Sequence, residues 1–141
     1  MKRDRQKSKV YDWERKYIAP FDKSNVPFDN INGIVKYIWE QEGLKYPPEV
    51  KKIDVRNYAW GTGCRTAVHF QENAPTWLIL HELAHSMTCT IHNESNEHGA
   101  LFMGLYIQLA SRYLKLDFTE LLTSAIAFGL RVDAKARPVF L

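Results

Sequence analysis

The residues most able to do chemistry lie in one short run, His81-Glu82-Leu83-Ala84-His85. Two histidines at i and i+4 on a helix project from the same face one turn apart. Two imidazoles so placed can bind one zinc ion at about 2.0–2.1 Å. A glutamate directly after the first histidine lies near the metal without ligating it. There it can take a proton from a water on the metal and return it to a leaving group. The spacing therefore assigns His81 and His85 as ligands of one Zn2+ and Glu82 as general base and acid. A buried helix carrying two histidines and a carboxylate for structural reasons alone would bear a cost of several kcal/mol, which a metal removes.

Catalytic zinc takes a third protein ligand and keeps one position open. The metzincin spacing HExxHxxGxxH fails, because Thr88 and Ile91 stand where its glycine and third histidine belong. His69, His92, His98 and the carboxylates of Glu94 and Glu97 remain as candidates. His92 opens a polar loop, and His69 sits opposite the Cys64/Thr66/Val68/Phe70 face of a strand. His98 is the best placed. It follows a loop long enough to reverse the chain, Gly99 permits close backbone approach, and Phe102 one turn on can anchor the next helix.

The helix carrying the motif reads from about Pro75 to Thr90, with Pro75 in its first turn. It is apolar nearly all round through Trp77, Leu78, Ile79, Leu80, Leu83 and Ala84, so it is buried. Before it, residues 51–57 alternate, with Ile53 and Val55 on one side and Lys52, Asp54 and Arg56 on the other. Cys64 to Phe70 alternate again after Gly61 and Gly63, so the two runs predict an antiparallel hairpin. Ile31, Ile34, Val35, Ile38 and Trp39 predict a helix capped by Asp29 or Asn30 and closed by Gly43. A shorter helix fits Tyr11–Ile18, one follows His98 through Phe102, Leu105, Tyr106, Leu109 and Tyr113, and another runs from Thr119 to about Leu130. Residues 1–10, with five bases and one acid, read as a solvated basic lead-in.

At 141 residues this is expected to be one α+β domain, with a small antiparallel sheet packed on the buried helix. An aromatic content of 13% argues against a disordered chain. No stretch approaches the ~18 apolar residues that span a bilayer, and Tyr11 to Lys16 interrupts any secretory leader, which points to the cytoplasm. Cys64 and Cys89 form no CxxC pair and read as reduced residues. No Lys or Arg occurs from Thr66 to Ser111, a window of charge −4 in a chain of +3. Such a window attracts a dication.

His81 to His85 followed by His98-Gly99-x-x-Phe102 resembles the SprT/Spartan-like zinc metalloproteases over about residues 50–115. The resemblance implies a minimal zincin-like fold, His98 as third ligand, Glu82 as the catalytic residue and a peptide or protein substrate. The start RDRQKSKVYDWE, the HELAH run and residues 98–132 are also similar to small metallohydrolase-type proteins of actinobacteria and phages. That likeness implies the same zinc site in a bacterial or phage-infected cytoplasm but no substrate. Its usual HGPEF segment is altered here, with Ala100 and Leu101 for Pro-Glu, so no role of that glutamate transfers. Two other readings stay open: a non-catalytic, zinc-stabilised interaction module in which Cys89 joins the ligands, and nucleic-acid association through the basic lead-in.

Overall fold

The computed structural model describes residues 4–53, 61–90, 92 and 97–141. Helix α1 (Lys7–Tyr17) turns Val10, Trp13 and Glu14 inward, the i, i+3, i+4 face of an amphipathic helix. It starts earlier than the sequence suggests, and residues 4–10 are not simply a solvated lead-in. Gln6 and Val10 are buried, and Asp4 is hydrogen-bonded to His98. The bases there (Arg5, Lys7 and Lys9) are the exposed residues between them.

A single 3-10 turn at Ala19–Phe21 leads to the two-residue strand β1 (Val26–Pro27) and to α2 (Phe28–Gln41). Ile31, Val35, Ile38 and Trp39 of α2 face the core, as their spacing requires. Pro27, and not Asp29 or Asn30, occupies the N-cap position, while Asp29 lies in the first turn. Gly43 closes the helix at φ +74°, a conformation glycine adopts without cost.

Strand β2 (Glu49–Lys52) is followed by β3 (Gly61–Gly63) and β4 (Ala67–Phe70). The expected α+β class is borne out, but the sheet is mixed. β4 lies in the middle, parallel to β2 with Glu49 opposite Ala67, and antiparallel to β3 with Gly63 opposite Val68. The hairpin partner of β4 is thus the glycine run that composition marks as a turn, and residues 51–52 pair in the other direction. Positions 54–57 of the expected first strand lie outside the described residues. The reason for a strand of glycines is steric. A Cβ on Gly63 would come within 2.4 Å of the Glu82 carbonyl oxygen, and one on Gly61 within 2.7 Å of Glu82 Oε2. Only a bare backbone fits between β4 and the next helix.

That helix, α3 (Thr76–Met87), is buried from Leu78 to Ala84 without a break, as its composition predicts. Pro75 stands at its N-cap and offers no side-chain acceptor. Residues far away in sequence supply one: Thr76 N–H donates to Ser24 Oγ and Trp77 N–H to Asp22 Oδ2, each at 2.8 Å. Such caps are typically worth about 1 kcal/mol each. The short antiparallel pair of β1 with β5 (Asn73–Ala74) fixes the same junction. Helix α4 (Ala100–Leu114) packs along α3, and α5 (Phe118–Ala127), capped by Asp117 through the Glu120 N–H, packs on α4 and α1. One buried cluster draws on all five helices and β4. Among the described residues no helix is long and apolar enough to cross a membrane.

Two glycines in helices make opposite demands. Gly33 of α2 is exposed with nothing within 4 Å of an added Cβ, whereas a Cβ on Gly104 of α4 would meet the Asp133 carbonyl oxygen at 1.7 Å. Gly33→Ala is expected to stabilise the fold by about 0.5–1 kcal/mol. Gly104→Ala is expected to destabilise it by about 3 kcal/mol or more, through overpacking. Urea denaturation of the two variants beside the parent checks both signs.

Candidate metal centre

Three segments meet at the motif. From α3 come His81, Glu82 and His85; from the turn before α4 comes His98; from α1 comes Glu14. The ligand atoms of His81, His85 and His98 all lie within 4.8 Å of one another, which joins the three histidines expected from the sequence. Phe102, one turn into α4, packs on all three. Its ring stacks on His85 at 4.4 Å between centroids and meets His81 and His98 edge-on at 5.0 and 5.1 Å.

The outer nitrogens of two of these rings are already used. His81 Nδ1 is 2.6 Å from Glu14 Oε2, and His98 Nδ1 is 2.6 Å from Asp4 Oδ2. A carboxylate at Nδ1 holds the proton there and leaves Nε2 bare toward the cluster, the arrangement that metal-bound histidines favour. His85 Nε2 and His98 Nε2 approach to 3.1 Å. Two nitrogens on a tetrahedral zinc would stand roughly 3.3 Å apart, given bonds of 2.0–2.1 Å. The His85–His98 pair is thus already at the separation one zinc ion would require, and three neutral-capable imidazoles are the kind of donors that suit a small divalent cation.

Charge leads to the same conclusion. Glu14 and Glu82 are both buried, at 5% and 4% exposure, and no Lys or Arg is paired with either among the described residues. Burial pushes the Glu82 carboxyl up to about 7; the His81 charge opposes the shift and Glu14 adds to it. A cation beside it would lower it again. Burial, reinforced by the charges of His81 and His98, holds His85 well below the usual histidine range, so it is neutral and able to ligate. For His81, burial works downward but the charge and hydrogen bond of Glu14 outweigh it and hold the pKa up.

The other sequence candidates are elsewhere. His92 is exposed, His69 is half-buried on the central strand, and Glu97 is exposed at φ +52°. Glu94 lies outside the described residues. Cys89 is buried but not among the clustered ligand atoms. Tyr106 and Tyr113 of α4 turn their hydroxyls to carboxylates. Tyr106 donates to Glu14 Oε2 at 2.5 Å behind His81, and Tyr113 donates to Glu42 Oε2 at 2.7 Å. Tyr11 of α1 packs against the histidines themselves. It is half-buried, with its ring 5.2 Å from that of His98 and 6.1 Å from that of His81.

Sequence reasoning missed Glu14 and Asp4. Glu14 had a signal, because it falls on the apolar stripe of α1 with Val10 and Trp13, where a charge needs a partner. Asp4 had none. A cavity of about 590 Å³ lined by Tyr37, Glu42, Gln108, Arg112, Tyr113 and Arg137, among others, includes no residue of the histidine cluster. Comparison with models of known protein families, with curated proteins and with solved structures finds no match to this chain.

Two substitutions separate the ligands from their surroundings. His98→Ala is expected to lower zinc affinity sharply in a calorimetric titration, while His92→Ala leaves it unchanged; the reverse pattern would overturn the ligand set. Glu14→Gln keeps the shape of the side chain but removes the charge that holds His81. It is expected to weaken zinc binding roughly 10–100-fold.

Proposed function

We propose that this chain is a zinc-dependent hydrolase acting on peptide or protein substrates, with His81, His85 and His98 holding one Zn2+ and Glu82 as the catalytic residue. The observation that carries the reading is the convergence of three imidazoles on one point, with a buried carboxylate from the same helix beside them. Three nitrogen donors favour zinc over the oxygen-seeking Mg2+ and Ca2+. Zinc bound there supplies Lewis acidity, polarising a carbonyl oxygen and making a water acidic enough to attack near neutral pH.

The chain's own residues supply the rest. Glu82 takes the proton from the attacking water and hands it to the departing amine, a role for which a carboxyl held near neutrality is suited. Gly61 lies against its Oε2, and this close cover limits the positions the carboxylate can take. Glu14 and Tyr106 fix the ring of His81 from behind, and Asp4 fixes that of His98. Tyr11 packs against the rings of His81 and His98.

The peptide reading rests on β3. β4, the strand nearest α3 in sequence within this sheet, is central and has partners on both sides, so it offers no edge to a substrate. The edge beside Glu82 is β3, and no strand pairs with its other side among the described residues. An extended peptide added there gains main-chain hydrogen bonds and runs past Glu82. A four-ligand structural zinc site is less favoured, since Cys89 is not among the convergent atoms. A cytoplasmic setting suits a chain whose Cys64 and Cys89 form no disulfide.

Zinc-loaded protein incubated with a proteome-derived peptide library is expected to produce new N-termini, read by mass spectrometry. Glu82→Gln should retain zinc and lose about 10²–10⁴-fold in rate. A library left intact by the parent, or cut equally by the variant, would refute the assignment. Zinc bound only to the folded chain adds about 4 kcal/mol at a thousandfold excess over Kd. Chelation is therefore expected to lower the melting temperature by several degrees, and added zinc to restore it.

A further inference from the structure

The third ligand is held by different means from the first two. His81 and His85 ride on α3, whose backbone is fixed by its own hydrogen bonds and by burial on nearly all sides. His98 precedes α4, and Gly99 behind it occupies the N-cap with no side-chain cap. What secures His98 comes from the segment ahead of α1. Asp4 Oδ2 accepts from Nδ1 of its ring at 2.6 Å. Gln6 Nε2 donates to its carbonyl oxygen at 2.8 Å. The same amide donates to the Arg131 carbonyl oxygen at 3.3 Å, and its Oε1 accepts from the Arg131 N–H at 2.6 Å. Gln6 is 7% exposed with both ends of its amide engaged, while Arg5 beside it is exposed. The ring of Tyr11 closes on His98 from the second turn of α1.

A buried glutamine that joins two distant backbone segments, next to an aspartate on the ring between them, makes a strap over one ligand. We propose that residues 4–6 position His98 for metal binding, Asp4 through the ring and Gln6 through the backbone. Loss of either would reduce a three-imidazole centre toward the two imidazoles of α3. The physical reasons are separable. The Asp4 carboxylate keeps the proton on Nδ1, so Nε2 is the free donor, and makes that donor more basic. The Gln6 amide fixes where the His98 backbone sits, and a ligand misplaced by even a fraction of an ångström is outside bonding range of a cation held by the other two. Neither residue touches the metal; both are positioning residues. The proposal rests on the three-histidine centre described above, and the experiment distinguishes failure of one from failure of the other.

The probe is Co2+ alone, titrated into the metal-free 141-residue chain, with the visible absorption of the bound ion reporting its coordination and the titration its affinity. Four proteins are compared with the parent: His98→Ala, Asp4→Asn, Gln6→Ala and Asp12→Asn. Asp12 lies on the outer face of α1, exposed and paired with Arg15, and is the control. Asp4→Asn and Gln6→Ala are expected to weaken cobalt binding roughly 10–100-fold and to shift the spectrum toward that of His98→Ala. Asp12→Asn is expected to match the parent in both readouts. Circular dichroism at the titration temperature establishes that each variant is folded, and the two strap variants act independently should one of them not fold. If Asp4→Asn and Gln6→Ala lower only the melting temperature, with parental affinity and spectrum, the strap is structural and the proposal is overturned while the centre stands. If the parent binds no cobalt, or His98→Ala binds as the parent does, the three-histidine centre itself fails and the strap proposal falls with it.

Discussion

The Glu14 carboxylate lies 2.6 Å from His81 Nδ1 and 2.5 Å from the Tyr106 hydroxyl oxygen, with almost none of its surface open to solvent. A charge so placed is costly to bury unless donors surround it, and removing one of those donors is costlier than never having made the pair. Much of the architecture follows from meeting that demand. Helix α1 must lie across α3 and α4 at the height that brings residue 14 between His81 and Tyr106. Trp13, next to it, donates to Ser124 Oγ at 2.9 Å and so ties α1 to α5 at the same level. The imidazole of His81 is thereby set in orientation before any ligand arrives, and His85 and Phe102 take their places against it.

The opposite wall is governed by shape instead of charge. Strand β3 contributes almost no side chain where it crosses α3, and the helix backbone at Glu82 fills the space. Backbone pressed against carboxylate excludes water from one side of Glu82. Burial as a whole, to which this cover contributes, is the dominant effect lifting its pKa toward neutrality. Gly63 lets the strand approach the main chain of the helix, and Gly61 lies over the carboxylate itself.

The sequence is informative here to the extent that chemistry is local. His81, Glu82 and His85 sit on one helix and declare their geometry by spacing alone, and the apolar positions of α2 and α3 fall where their periodicity requires. His98 was reachable because Gly99 and Phe102 mark the start of the next helix. What was not legible lies where two distant segments decide an outcome together. Gly61 and Gly63 look like turn residues because glycine is a poor strand former, and the helix that requires their bareness comes some twenty residues later in the chain. The direction of β2 against β4 is likewise set by how the chain returns to the sheet, which alternation does not encode. Asp4 is one acid in a basic run, and nothing nearby in sequence hints at a histidine 94 positions away.

The Gln6 amide bonds to Arg131 across 125 residues. During synthesis at about 5–20 residues per second, roughly 6–25 seconds separate the emergence of these two positions. Throughout that interval Gln6 lacks Arg131 and, for most of it, His98, while the Glu14 carboxylate waits first for His81 and then for Tyr106. Helix α3 by contrast completes its own two histidines as soon as it is made. The centre is therefore assembled in order along the ribosome's output, the paired imidazoles first and the enclosing N-terminal segment last. The hold of Gln6 on both backbone segments can close only once Arg131 has been made.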